Sequence, residues 1–141
     1  DPRKLKIELT EGAVLRDIPG AAAKLRALEA LGVACALDDF GTGGASLPHL
    51  ARLRPSELKI DRSLVMQLAD SAPDALLVRA IVRTALGLGL KVIAEGVETV
   101  GQRDLLRKLG CHVFQGHLFA RPMPAGDLER FLTRRADRGE P

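Results

Sequence analysis

Five short apolar runs, each followed by a helix-like stretch, constrain this chain more than any other feature. The runs are LKIEL (5–9), VACALD (33–38), ELKI (57–60), KVIAE (91–95) and CHVFQ (111–115). Helical spacing follows the first run over 20–31, through Ala23, Leu25, Leu28 and Leu31, and stops at Gly32. Ser46 can cap a short helix from Leu47, with Pro48 tolerated in its first turn. Helical stretches over 62–69 and 74–88 flank a polar turn from Asp70 to Pro73. Another spans 100–109 and ends at Gly110, and an amphipathic helix runs from about Asp127 to Arg134. Strands that alternate with helices are parallel and joined by crossovers. The unbroken apolar run VACALD suits a strand covered on both faces.

A doubly wound open sheet and a (β/α)8 barrel both accommodate five such units, and the strand ends separate them. Each strand ends in polar groups: Glu8 and Glu11, then Asp38 and Asp39, Lys59 and Asp61, Glu95 and Glu98, and Gln115. An open sheet spreads such groups along an edge, with one crevice at its switch point. A barrel gathers them at one rim, where active sites sit. The expectation is an α/β fold of the TIM type.

Composition narrows the function. The chain has 141 residues, 46% of them hydrophobic, which is enough for one real core and is not the composition of a disordered chain. A net charge of +3, 3% aromatics and no Trp or Tyr argue against a nucleic-acid polymer as partner. No apolar run is long enough to span a bilayer, and no signal-peptide layout is present. Cys35 and Cys111 sit in or beside strand-like stretches and read as two buried thiols of a cytoplasmic protein. No CxxC spacing suggests a zinc site.

Asp38 and Asp39 carry the sharpest chemical signal. Two adjacent carboxylates repel, and burying either one unpaired is costly. Strand alternation sends their side chains apart unless the strand is already ending. Either water screens them or a cation sits between them, and carboxylates are the ligands that magnesium, manganese or calcium take. Gly41, Gly43 and Gly44 follow at once, as a tight turn or as a loop that lets backbone approach a ligand. The loop lacks the GK[ST] ending of a phosphate-binding P-loop. Lys59 reads as a cation among carboxylates, and Glu95 follows the apolar VIA. Glu8 alone reads first as a helix cap or a surface charge, and Gln115 as a backbone hydrogen-bond partner. His49, His112 and His117 form no ligand pair on one helix face and are read as non-catalytic. Carboxylates with a lysine, and no Ser–His pair, suit metal-assisted phosphoester hydrolysis over acyl transfer.

The blocks IELTE (7–11), LDDFGTG (37–43), LKIDRSLV (58–65), IAEGVET (93–99) and CHVFQGHLFARPMP (111–124) resemble, in order and spacing, the EAL-domain family of bacterial cyclic-di-GMP phosphodiesterases. The resemblance implies a modified TIM barrel that hydrolyses cyclic di-GMP to linear pGpG with two Mg²⁺ or Mn²⁺ ions. It implies metal binding by Glu8, Asp38, Asp39 and Glu98, with Asp38 as the bridge. Lys59 and Glu95 are implied as catalytic groups, Lys59 at the scissile phosphate and Glu95 as general base or second-metal ligand. Gln115 is implied in substrate binding, and Glu11 in steadying the loop after the DDF block. The family also implies a homodimer, and an attached sensory or GGDEF-type domain upstream that can anchor the protein to a membrane.

Two local departures stand out. The family's DDFGTG is usually followed by Tyr-Ser-Ser, and here by Gly44-Ala45-Ser46; its QGY is here QGH, with His117. The EAL signature and the Asn ligand after it belong upstream of IELTE and are absent from this sequence. A whole barrel takes about 200 to 250 residues, and the chain starts at Asp1 without Met. Residues 1–134 are therefore expected to be the C-terminal portion of an EAL domain, about five βα units, with 135–141 a polar tail. Such a half-barrel exposes strand edges and is expected to turn over little by itself. The competing reading is a degenerate EAL domain that serves as a non-catalytic cyclic-di-GMP receptor or protein-interaction module. Retention of Glu8, Asp38, Asp39, Lys59, Glu95, Glu98 and Gln115 favours the enzyme.

Overall fold

Five strands form one parallel sheet whose spatial order is their order in the chain. They are β1 (Lys6–Thr10), β2 (Ala34–Phe40), β3 (Glu57–Ile60), β4 (Lys91–Ala94) and β5 (Val113–Phe114). Each strand pairs in parallel with the next, and the order never reverses, so these strands have no switch point of the doubly wound kind. This is the sheet of a partial α/β barrel. The computed structural model describes residues 1–44, 46–68 and 71–137. Ala45, the end of the helix expected over 62–69, Asp70 and the tail from 138 lie outside the described residues.

Helices α1 (Glu11–Leu15), α2 (Ile18–Ala30), α3 (Leu47–Leu53), α4 (Arg62–Met66), α5 (Ala72–Gly87), α6 (Val100–Leu109) and α7 (Ala125–Asp137) connect and follow the strands. Their ends show why some expected boundaries move. Asp17 caps α2 by accepting the Gly20 N–H at 3.0 Å, so the helix starts two residues earlier than its apolar spacing suggests. Ser71 caps α5 in the same way from the Asp74 N–H at 3.3 Å, which places Pro73 inside the first turn and not in a loop. Gly110, at φ +99°, closes α6 where expected. Helix α1, only five residues long, was not expected from the pattern, and β5 is shorter than the expected 111–115. Helix α7 runs to Asp137, so the expected tail begins as helix.

The two faces of the sheet differ. Ile7, Leu9, Cys35, Leu37, Leu58, Ile60, Val92, Ala94 and Phe114 point to the helices and join one core with Leu25, Leu53, Val82 and Leu106. Fully buried side chains such as Leu37, Leu58 and Ile60 contribute about 1.5–3 kcal/mol each. Strand alternation puts Lys6, Glu8, Asp38, Glu57, Lys59 and Lys91 on the other face. That face is lined by charge, with Ala36 and Ile93 as small or apolar fillers between.

Candidate active site at the carboxyl end of the sheet

The site starts from an irregularity in β2. Leu37 pairs with Leu58 and Phe40 with Ile60, so three steps on β2 match two on β3. The extra residue is a β-bulge at Asp38–Asp39, and Asp39 takes a left-handed backbone, φ +56°. A bulge re-aims one side chain. Asp38 and Asp39 therefore do not diverge: with Glu95, at the end of β4, their carboxylate oxygens lie within 4.8 Å of one another.

Lys59 stands beneath this group on β3. Its side chain is 7% exposed, and its Nζ lies 2.8 Å from Glu8, 3.0 Å from Asp38 Oδ1 and 2.7 Å from Glu95 Oε1. Burial alone would lower the Lys59 pKa, but these three carboxylates hold it above the usual lysine range. Asp38 Oδ1 is buried and accepts no well-aligned hydrogen bond, the Lys59 ammonium being offset from it. Burial pushes the Glu95 carboxyl up, against the pull of Lys59 and with the push of Asp38 and Asp39. Partial burial, then Asp38 and Asp61, push the Asp39 carboxyl up as well.

The surrounding loops are fixed by specific contacts. Glu11, 2% exposed, accepts the Gly41 N–H at 3.1 Å and the Gly43 N–H at 3.3 Å, which ties the glycine loop to α1. A Cβ on Gly41, φ +105°, would sit 2.5 Å from Leu64 Cδ1, so the close approach there requires glycine. The loop after β4 ends in a capping box. Gln102 Oε1 accepts from the Glu98 and Thr99 N–H groups at 2.9 and 3.0 Å, and Thr99 Oγ1 accepts the Gln102 N–H at 3.2 Å. The Gln115 N–H donates to the Ala94 carbonyl at 2.9 Å and sets β5 beside that loop.

The candidate residues thus fall into three groups. Asp38, Asp39 and Glu95 converge, with Glu8 joined to them through Lys59. Glu98 and Gln115 line an adjoining cavity of about 440 Å³, shared with Asp39 and Glu95. Glu11 lies under the glycine loop. His49 has a local role, its Nδ1 accepting the Ser46 N–H at 3.2 Å ahead of α3. The cavity also contains His117, whose Nδ1 lies 3.9 Å from Glu98, together with Arg62 and Arg121. Sequence reasoning gave these arginines no role. Their signal was position: one follows a strand end by two residues, and the other sits in the segment after the last strand.

A parallel sheet in sequential order, with carboxylates converging at the carboxyl ends of its strands, defines a barrel-type α/β protein whose carboxylates are of the type that hard cations take. The EAL domain family model matches residues 1–122, and the chain belongs to that family. It is 48% identical over 128 residues to the bifunctional diguanylate cyclase/cyclic di-GMP phosphodiesterase MucR of Pseudomonas aeruginosa, covering 91% of this chain and 19% of MucR. The cyclic di-GMP phosphodiesterase NbdA of the same organism is 45% identical, with 91% of this chain and 16% of NbdA covered. The structure of the MucR phosphodiesterase in complex with c-di-GMP superposes with a TM-score of 0.85, over 90% of this chain and 51% of that one. A manganese/c-di-GMP complex of Klebsiella pneumoniae BlrP1 gives a TM-score of 0.80 at 38% identity, over 86% of this chain and 31% of that one. The chain thus spans about a fifth of the curated relatives and about half of the MucR structure.

Proposed function

We propose that this chain carries the C-terminal part of a cyclic-di-GMP phosphodiesterase, which opens one phosphodiester bond of the ring to give linear pGpG. The observation that carries this reading is charge imbalance. Among the described residues Lys59 is the one cation ion-paired with Glu8, Asp38 and Glu95, Asp39 adds a further carboxylate beside them, and the buried Asp38 Oδ1 lacks an aligned donor. Hard oxygen donors in that number fit divalent cations, Mg²⁺ or Mn²⁺. Asp38 and Asp39 would hold them, with Glu8 and Glu98 at either side. The ions, when bound, activate water and clamp phosphate oxygens.

The chain's own residues do the rest. Lys59 is held charged and offsets charge that builds on the scissile phosphate. Glu95, its basicity raised by burial, takes the proton of the attacking water. Glu11 fixes the loop that follows the aspartates. Gln115 contacts the substrate from the cavity wall. The name of MucR, which pairs two activities, supports an attached GGDEF-type domain, and a homodimer is part of the same reading. No described helix is long and apolar enough to cross a membrane.

The test uses the protein that carries this sequence, at its natural full length. It is incubated with cyclic di-GMP and Mg²⁺ or Mn²⁺ and followed by chromatography, beside an Asp38→Asn variant. pGpG that forms only in the wild type supports the reading. Bound cyclic di-GMP without product replaces it with the receptor reading.

A further inference from the structure

A second cavity, of about 550 Å³, lies in the helical layer and shares no residue with the cavity beside the carboxylates. Ile18, Ala22 and Arg26 recur every four residues and form one stripe along α2. Arg52 joins them from the last turn of α3, which packs on α2, and Arg16 from the C-cap of α1. Helix α2 joins β1 to β2 and α3 joins β2 to β3, so the wall is built from connections between strands of this sheet.

The wall carries an unbalanced charge. Arg16, Arg26 and Arg52 are exposed, and none of them forms an ion pair among the described residues. Asp17 is the one carboxylate in the lining, and it is committed elsewhere: its Oδ1 accepts the Gly20 N–H at 3.0 Å as the cap of α2. The rest of the lining, Ile18, Pro19 and Ala22, is apolar. Like charges gathered in one cavity repel, and this lining leaves two more cations than anions. The first turn of α2 adds little as a donor, because Asp17 occupies the Gly20 N–H and Pro19 has none. The arginines, and not the helix end, are the recognition element.

We propose that this cavity binds a diphosphate-type anion, either as inorganic pyrophosphate or as the phosphates of a nucleotide. A guanidinium fork matches two oxygens of a phosphate and stays charged at any physiological pH, as a lysine ammonium does without the fork. One fork satisfies a carboxylate, and one or two satisfy a single phosphate. Three forks from three helical segments, around a cavity in the size range of small-ligand sites, call for a second phosphate group. The apolar stripe of Ile18 and Ala22 leaves room beside the charges for the uncharged part of such a ligand. The proposal stands apart from the phosphodiesterase reading, since no residue of this wall belongs to the carboxylate site.

The experiment measures affinity by calorimetry on the natural full-length protein, with no divalent metal and no cyclic di-GMP present. Sodium pyrophosphate, sodium phosphate and ADP are titrated into the wild type, Arg26→Gln, Arg52→Gln, Arg52→Lys and Arg83→Gln. Arg83 is exposed on α5 outside the cavity and controls for net charge. The wild type should bind pyrophosphate more tightly than phosphate, and Arg26→Gln and Arg52→Gln should each bind it about tenfold or more weakly. Arg52→Lys should recover only part of the loss, and Arg83→Gln should match the wild type. ADP bound more tightly than pyrophosphate, with the same loss in both Gln variants, identifies a nucleotide as the source; ADP bound no more tightly identifies the inorganic anion. A wild type that does not bind pyrophosphate would overturn the proposal, as would phosphate bound equally tightly. Wild-type affinity in both Gln variants, or an equal loss in Arg83→Gln, would overturn it too.

Discussion

The charged face of the sheet carries two clusters built around β3, two residues apart, with opposite balance. At the carboxyl end Lys59 meets Glu8, Asp38 and Glu95, one cation against three carboxylates. At the amino end Glu57 meets Lys6 at 2.5 Å and Lys91 at 3.3 Å, one carboxylate against two cations. Glu57 is 8% exposed, and while burial pushes its carboxyl up, the two lysines hold it below the usual range. Both lysines reach water, with side chains 39% and 52% exposed, so the excess positive charge there is solvated. The excess negative charge at the other end is half-buried, and Asp38 Oδ1 has the Lys59 ammonium at 3.0 Å without a well-aligned hydrogen bond. The same strand thus bears a self-contained ion cluster at one end and, at the other, a cluster with carboxylates in excess of its lysine. In barrels the amino end serves stability and the carboxyl end serves chemistry.

The largest expected effect separates the two ends by activity. Asp38→Asn should reduce cyclic-di-GMP hydrolysis by about a hundredfold or more, while Glu57→Gln leaves kcat within about twofold. Steady-state assays on both variants check this, and equal losses would break the distinction. Next, Lys59→Met leaves three carboxylates facing one another. It should cost about 3–5 kcal/mol in metal-free urea unfolding, because a partnered buried charge is removed. Added Mn²⁺ should restore part of that loss, and the corresponding Glu57 variant should show no such recovery.

Glu57→Gln should cost about 1 kcal/mol, since its partners are part-exposed. Its pH dependence has a fixed sign. The folded pKa lies below the unfolded one, so the stabilisation is complete above the unfolded value and is lost as pH falls through the folded value. The wild type should therefore lose stability faster than Glu57→Gln below about pH 4, and parallel curves would remove Glu57 from the account. The smallest effect belongs to the glycine loop. A Cβ on Gly44 meets only Leu15 Cδ1, at 3.9 Å. Gly44→Tyr should therefore shift the thermal midpoint by a change worth no more than about 0.5 kcal/mol.

Much of this architecture is legible in the sequence. ELKI and the 100–109 helix fall where their patterns place them, because apolar alternation and a glycine cap are local signals. The bulge at Asp38–Asp39 is not local. It exists only in the register between β2 and β3, so adjacent aspartates in a strand read as divergent until the partner strand is known. Helix α1 escaped because five residues carry too little periodicity. Glu57 escaped because a glutamate at a strand start looks like a surface charge until Lys6 and Lys91 arrive from two other strands. Periodicity could gather the strand ends but not divide labour among Glu8, Asp38, Asp39 and Glu95. That division came from the family blocks, and Glu98, implied among the metals, lies on the cavity wall outside the three converging carboxylates.

The central claim is that the carboxyl-end cluster, and not the amino-end one, takes divalent cations. Calorimetric titration of Mn²⁺ into the natural full-length protein, Asp38→Asn and Glu57→Gln tests it directly. The account predicts equal affinity in wild type and Glu57→Gln and at least about tenfold weaker binding in Asp38→Asn. Wild-type affinity in Asp38→Asn would contradict it.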